Sequence, residues 1–403
     1  MDLKSGYPFW AVKNGLMASF PRLDTDTRCD VAVVGGGITG ALIAQELASH
    51  GHQVVVLEQR DIAWGSTAAS TALLQYEIDT HMTDLAERYG EAAAVLAYRA
   101  CAEAIPQLQA LAEDVGDVDF ARMRSLYYAS RLWHVSSLRA EHALRARHGF
   151  EVEWLDRTRL RREWGLSSGG AILSALAARI DPYRMTYRLL QRLHKDGHGV
   201  HDRTKVLEIE ARPRQVRLRT DTGATVTAGH VVLAAGYANQ QWLQAQVAQN
   251  RSSYAFITDP VTDFVPEGLR DTMVWESARP YLYMRRTGDG RILVGGEDDR
   301  IDIPARRDRQ VERKARKLRK QLQRCFPDLD TTPAFSWAGT FAETDDGLPF
   351  FGAHSERGPR VLFAMAYGGN GITYSMIGAG LIRCLIERRR HPLQDLFSFA
   401  RIA

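Results

Sequence analysis

The sequence predicts an α/β fold in which a doubly wound, mostly parallel sheet is interleaved with a second α+β domain, a mixed sheet plus helices. Three observations carry that reading. Residues 30–58 run strand, glycine loop, helix, strand. Val231-Val232-Leu233-Ala234-Ala235-Gly236 is another apolar run ending in glycine, and 361–373 repeats strand, glycine loop and helix near the far end. Unbroken apolar runs are the mark of strands covered on both faces, and alternating strands and helices place them in one parallel sheet. These signals sit at both ends and in the middle of the chain. The nucleotide-type domain is therefore expected in three pieces, 1–90, 181–251 and 336–403, with 91–180 and 252–335 left for the second domain.

Each element has its own signal. Asp30-Val31-Ala32-Val33-Val34 reads as a buried strand, Ala41 to Ser49 as a helix and Val54-Val55-Val56-Leu57-Glu58 as a second strand. Residues 81–115 are alanine-rich with helical spacing, Leu126–Ala129 reads as a strand, 136–148 as a helix, and 149–152 returns to strand. Asp181-Pro182 opens a helix to about Lys195, with proline at a favoured first position. Thr204–Glu210 and Gln215–Thr220 form a hairpin-like pair, and a Thr287–Gly290 turn joins strands at 280–285 and 291–295. Residues 305–326 form a basic helix and 372–388 a final one, while 1–29 reads only as a polar and aromatic lead-in.

Composition narrows the function classes. At 403 residues with 45% hydrophobic and 25% charged residues, the chain has the balance of a two-domain globular protein and excludes disorder. A formal charge of +4 does not point to nucleic acid. Cys29, Cys101, Cys325 and Cys384 are scattered without C-x-x-C, which argues against a disulfide framework or a zinc site and fits a reducing compartment. No metal-ligand spacing occurs among the histidines. Without a signal-peptide core near Met1 or an apolar run of about 18 residues, a cytoplasmic protein with no membrane span is expected.

The chemistry starts at Gly35-Gly36-Gly37-Ile38-Thr39-Gly40, which matches G-x-G-x-x-G between a strand and a helix. Gly35 allows the tight turn, Gly37 lets a pyrophosphate approach the backbone, and Gly40 lets the helix pack closely on the strand. The helix N-terminus offers free N–H groups and a positive dipole end to phosphates. Glu58, eighteen residues after Gly40, is placed to accept from an adenosine ribose, with Gln59 and Arg60 beside it. Gly368-Gly369-Asn370-Gly371-Ile372-Thr373 lacks that spacing and a following acidic strand. It reads as a loop that aims a second helix N-terminus at negative charge, such as that on a reduced flavin.

In chain order, Gly35–Gly40, Gly65-Ser66-Thr67, Val231–Gly236, Asp346-Gly347-Leu348-Pro349 and Gly369–Thr373 resemble the D-amino-acid-oxidase family of FAD-dependent oxidoreductases, which includes glycine and sarcosine oxidases. The resemblance spans nearly the whole chain and is weakest at 81–170 and 252–335. It implies a Rossmann-like FAD-binding domain and roles by position: Gly35, Gly37, Ile38, Thr39 and Gly40 at the pyrophosphate, and Glu58 at the ribose. It further implies Ser66 and Thr67 at phosphate or ribityl oxygens, and Val206 at adenine through its backbone. Ala235 and Gly236 would lie close to the cofactor, and Gly347, Leu348, Asn370, Gly371, Ile372 and Thr373 along its ribityl and flavin side.

Three departures from the family matter. Phe341 stands where many amino-acid-oxidising relatives carry an arginine that clamps the substrate carboxylate, and a phenyl ring cannot replace a bidentate clamp. A simple α-amino acid is then disfavoured unless Arg285 or Arg286 takes over. Ala69 stands near the place of a flavin-linking histidine, and 335–352 holds no cysteine, so the FAD is expected to be noncovalent. Tyr283, Arg285 and Tyr254 are the candidate catalytic residues, with Tyr281, Glu276 and His354 behind them.

The basic run 305–324 invites a nucleic-acid or membrane reading, but Val311, Ala315, Leu318, Leu322 and Phe326 make one apolar face of a packed helix. The expected activity is oxidation of the C–N bond of an amine or N-substituted amino compound to an imine, with oxygen or another electron acceptor. The alternatives are a hydroxy-compound dehydrogenase and a flavin-binding subunit of an electron-transfer complex.

Overall fold

A computed structural model describes residues 2–261, 265–300, 302–365 and 367–402. Two large sheets organise the chain. The first has eight strands. Its parallel centre runs Val361–Met365, Thr225–Leu233, Thr27–Val34, Val54–Leu57 and Gly199–His201, with Phe350–Ala353 antiparallel at one edge. Val216–Thr220 and Val206–Ala211 extend it as an antiparallel ribbon. Strand Thr27–Val34 has sequence-successive Val54–Leu57 on one side and distant Thr225–Leu233 on the other, so the strand order switches there. Open α/β sheets bind ligands in the crevice outside such a switch.

The helix Ile38–Ser49 explains why that crevice stays open. It is buried over most of its length, packed against helices Pro182–Lys195 and Gly371–Ile386. Gly40 lets its first turn lie close against the preceding loop, because a Cβ there would come within 1.9 Å of the Gly35 carbonyl oxygen. Thr39 Oγ1 and Ser375 Oγ, 2.7 Å apart, tie the first helix to the last. The two helices therefore start side by side at the same end of the sheet.

The second sheet has ten strands. Its order runs Lys4–Gly6, Pro333–Glu343, Gln249–Thr258, Ile292–Asp299, Leu282–Arg286, Thr272–Glu276, Ala121–Tyr128, Gly170–Arg179 and Leu73–Gln75, with Val152–Asp156 also on Gly170–Arg179. It is antiparallel except where Thr272–Glu276 runs parallel to Ala121–Tyr128. The helix Pro304–Cys325 packs on Gln249–Thr258 and Pro333–Glu343, burying Val311, Ala315, Leu318 and Leu322. That apolar face is the one the spacing predicted. Two cations of the same helix are also buried: Arg307, paired with Asp302 at 2.7 Å, and Lys314, 2.8 Å from Asp299.

Asp181 caps the helix Pro182–Lys195, accepting from the N–H groups of Tyr183 and Arg184. The lead-in holds structure that its sequence does not announce. Lys4–Gly6 adds an edge strand to Pro333–Glu343, and Phe9–Asn14 forms a short helix whose Trp10 donates to the Ser70 carbonyl at 2.7 Å. Elements this short arise from tertiary pairing and carry no periodicity of their own.

Candidate active site

A long cavity lies between the C-terminal ends of the parallel strands and the inner face of the ten-stranded sheet. At the end nearest Gly35 much of the wall is backbone. Gly35 has φ +120, and a Cβ there would lie 2.5 Å from the Ala234 carbonyl oxygen. Thr67 Oγ1 accepts the Ile38 N–H at 3.0 Å, drawing the Ser66–Ala69 turn against the start of the helix. The Glu58 carboxylate accepts the Gly36 N–H on one oxygen and the Arg60 N–H on the other, both at 2.9 Å. Burial is the largest influence on Glu58 and raises its pKa, against those N–H groups and Arg60. Arg60 Nε is buried without a hydrogen-bond partner at the same wall.

The second helix N-terminus arrives opposite. Asn370 Nδ2 donates to the Glu77 carbonyl at 2.6 Å, and the Gly369 N–H donates to Asp79 at 2.8 Å. These bonds lock the loop to the segment 75–79. A Cβ on Gly369 would meet Asp79 Oδ2 at 3.1 Å. Beneath lies a buried network in which Arg145 Nε donates to Glu141 at 2.7 Å and Ser174 donates to Glu77 at 2.6 Å. Burial raises the Glu77 pKa against the pull of Arg145, and its Oε2 faces no hydrogen-bond partner.

The predicted site residues divide. Gly35, Gly37, Ile38, Thr39, Glu58, Gln59, Arg60, Ser66, Thr67, Ala235, Gly236, Asn370, Gly371 and Ile372 line the cavity. Gly40, Val206, Gly347, Leu348 and Thr373 are not in the lining. Thr373 Oγ1 donates to the Gln75 carbonyl at 3.1 Å, and the Gly347 carbonyl accepts from Tyr374 at 3.2 Å. Asp346 is a turn anchor, held by the Leu348 N–H at 3.0 Å and by the Tyr89 hydroxyl at 2.7 Å, with Arg401 against it.

Of the catalytic candidates, Tyr283 lines the cavity, its hydroxyl 3.3 Å from Ser253 Oγ, and burial pushes its phenol up to about 12. Tyr254 reaches the wall, but its hydroxyl donates to Asp299 at 2.7 Å. Arg285 is fully buried and turned away, donating to the Thr71 carbonyl at 2.8 Å, and burial lowers its pKa to about 10. Arg286 is likewise outside the lining, as are Glu276 and His354, whereas Phe341, Ala69 and Tyr281 are in it.

The sequence pattern does not single out Asp79, Ser253, Trp275, Asp298 and Glu343, all of which line the end under the ten-stranded sheet. The one available signal is Gly295-Gly296 ahead of Glu297-Asp298-Asp299, since paired glycines inside a strand mark a bulge or a close approach.

The site so built is a dinucleotide crevice roofed by a second, largely antiparallel sheet. The family model described as "DAO: FAD dependent oxidoreductase" matches residues 30–385, and the chain belongs to that family. It is an FAD-dependent oxidoreductase. It is similar to a putative Rieske 2Fe-2S iron-sulfur protein of Bacillus subtilis, with 25% identity over 98% of this chain and 75% of that one. It is also similar to gamma-glutamylputrescine oxidoreductase of Escherichia coli, with 26% identity over 94% of this chain and 88% of that one. A third relative, glycine oxidase of Geobacillus kaustophilus, is 28% identical over 93% of this chain and 96% of its own. The crystal structure of that glycine oxidase superposes with a TM-score of 0.77, 22% identity, and 92% and 98% of the two chains covered. Among the described residues no helix is long and apolar enough to cross a membrane, and no cluster of three metal-ligating side chains occurs.

The residues present fit an FAD. The cradle at Gly35 is one that a Cβ would fill, the acid beside it is anchored by two N–H groups, and a buried Arg60 Nε awaits an acceptor.

Proposed function

We propose that this chain oxidises the C–N bond of an amine or N-substituted amino compound by hydride transfer, giving an imine that hydrolyses. One observation carries the reading. Among the described residues lining the cavity, Arg60 is the one permanent cation, and it sits at the nucleotide end beside Glu58. The other end carries Asp79, Asp298 and Glu343 with aromatic walls from Trp275, Tyr281, Tyr283 and Phe341. Such a chamber attracts a positively charged amine and offers no clamp to a carboxylate. The relatives named for glycine and for gamma-glutamylputrescine support an amino substrate.

In this reading Gly35, Gly37, Ile38 and Thr39 hold the pyrophosphate, and Glu58, Gln59 and Arg60 the adenosine side. Ser66, Thr67, Ala235 and Gly236 flank the middle of the cofactor, and Asn370, Gly371 and Ile372 present a helix N-terminus to the flavin. FAD supplies the hydride acceptor. With Ala69 at the wall and no cysteine in 335–352, the cofactor is held noncovalently. The protein's own task is to place the amine carbon, exclude water and keep the nitrogen neutral. Aromatic side chains supply the first two, and a carboxylate the third.

The test is anaerobic mixing of the purified holoprotein with a panel of amines, N-methyl amines, α-amino acids and hydroxy acids. Bleaching of the flavin spectrum by amines, with carbonyl product and released amine in equal amounts, is the expected result. Bleaching by hydroxy acids alone would overturn the reading.

A further inference from the structure

Resting on that reading, we propose that Asp298 binds the substrate ammonium group and takes its proton, and that the substrate is an aliphatic ammonium compound without a carboxylate on the carbon that is oxidised. The placement of Asp298 is the first argument. Tyr254 pairs with Gly296 and Ser252 with Asp299, so one residue, Ser253, faces two, Glu297 and Asp298. This is a β-bulge, a device that re-aims a side chain. Glu297 is held in the left-handed region at φ 57, uncommon for a residue with a side chain.

The basic helix pins that conformation from outside. Lys317 Nζ and Gln321 Nε2 donate to the two Glu297 carboxylate oxygens at 2.7 and 2.8 Å. Lys314 Nζ donates to the Glu297 carbonyl at 2.6 Å and to Asp299 Oδ1 at 2.8 Å. The outer two acids of Glu297-Asp298-Asp299 are thus each tied to a lysine, and the middle one lines the cavity.

Asp298 is left without a cation. Ser253 hydrogen-bonds to it, while its Oδ1 is buried with no partner. The other groups around it do not fill that role. Tyr283 shares Ser253 at 3.3 Å. Glu343 is occupied by Arg251 and, at 3.4 Å, by Arg279. Arg279 also donates to the Asp79 carbonyl at 3.0 Å. Burial, then the negative charges of Glu343 and Asp79, push Asp298 up to about 7 against the pull of Arg279. A carboxylate so poised is suited to accept a proton near neutral pH.

The step balances. An N–H bond of the ammonium breaks, an O–H bond forms on the Asp298 carboxylate, and the amine becomes neutral with its lone pair free. Loss of hydride from the adjacent carbon, for which a bound FAD would supply the acceptor, would leave an iminium ion, and water would convert that ion to the carbonyl product and an ammonium ion.

The experiment uses two probes that cannot be oxidised because the carbon bearing nitrogen has no hydrogen, tert-butylammonium and 2-aminoisobutyrate. Titration calorimetry on the FAD-loaded protein compares wild type, Asp298→Asn and Glu343→Gln, with flavin content and melting temperature reporting that each variant is folded. The expected result is tert-butylammonium binding that weakens about tenfold or more in Asp298→Asn and only a few-fold in Glu343→Gln. Wild-type affinity should fall as pH drops through about 7, where Asp298 gains its proton. Equal binding by wild type and Asp298→Asn, tighter binding of 2-aminoisobutyrate than of tert-butylammonium, or no binding of tert-butylammonium would each overturn the proposal. Anaerobic bleaching is read separately. Ammonium binding through Asp298 with no amine able to bleach the flavin would keep the site and sink the reaction. Bleaching by amines with unaltered binding in Asp298→Asn would do the reverse.

Discussion

The two ends of the cavity are built by opposite means. At the end around Gly35 the wall is largely backbone, set by Gly35, Gly37 and Gly40 and by the N-terminus of the helix Ile38–Ser49. At the other end the groups are side chains, Asp298, Glu343, Tyr283 and Phe341, delivered by three strands, one of which is bulged against the neighbouring strand Gln249–Thr258. A backbone site fails when a Cβ is added. A side-chain site changes what it binds when one residue changes. The difference predicts where a substitution abolishes the cofactor and where it only redirects the substrate.

The largest effect belongs at Gly40. An alanine there would place its Cβ 1.9 Å from the Gly35 carbonyl oxygen, and the obstacle is backbone that cannot step aside. Gly40→Ala is expected to purify with almost no flavin and a lower melting temperature, read from the visible spectrum and a thermal melt. A variant that keeps full flavin would break the distinction at its strongest point.

Glu58→Gln is next. The carboxylate accepts two N–H groups at 2.9 Å each, and an amide can accept only one while its NH₂ meets the other donor. One unsatisfied donor costs about 1–3 kcal/mol of stability in the ligand-free protein, so the melting temperature should fall, and FAD affinity should fall as well because the turn from Gly36 to Arg60 is no longer held. Equilibrium titration of the apoprotein measures the affinity. Substrate KM at saturating FAD should stay put, because Glu58 lies at the far end of the cavity.

What is legible in the sequence follows from the same contrast. Strand, glycine spacing, helix and acid at 30–58 are local, so the crevice is readable from the order of residues alone, as are the helix Pro182–Lys195 and, to within two residues, the final helix Gly371–Ile386 read as 372–388. Phe341 is legible as a departure because its neighbours in Asp346-Gly347-Leu348-Pro349 fix its place. Asp298 is not, because its direction is decided by pairing with a strand more than forty residues earlier and by Lys314 and Lys317 beyond it. Arg285 misleads for the same reason. Alternation puts it on the face of Tyr283, yet its long side chain turns to the Thr71 and Ile180 carbonyls instead. The basic helix is legible as packed, but its service to the bulge appears only in three dimensions.

A smaller effect is expected from Phe341→Arg, which sharpens the comparison by altering selectivity rather than presence. A guanidinium at that wall restores a bidentate partner for a carboxylate and adds a cation near Glu343. Binding of 2-aminoisobutyrate should tighten several-fold while that of tert-butylammonium weakens, with flavin content unchanged. Loss of flavin instead would mean that Phe341 supports the cofactor, and the two ends would not be separable.

The smallest effect is thermal, and it tests whether the substrate end holds its acid against solvation. Asp298 is raised by burial, then by Glu343 and Asp79, from 3.8 to about 7. The folded chain therefore holds a proton that the unfolded chain releases, so its contribution to stability is complete below 3.8 and is lost as pH rises through about 7. Glu141, in the network beneath the cavity, does the opposite. Burial works to raise it, but Arg145, His81 and the Thr83 and Met82 N–H groups outweigh burial and hold it at about 2. Its contribution is complete above 4.5 and is lost as pH falls through about 2. Asp298→Asn should cancel the first dependence and leave the second. The melting temperature of the variant should match wild type in acid, then rise above it through neutrality by about 2–4 °C. A difference that stays flat with pH would place Asp298 in ordinary solvent contact. A rise that disappears when wild type is saturated with tert-butylammonium would identify the missing partner of that carboxylate as an ammonium ion.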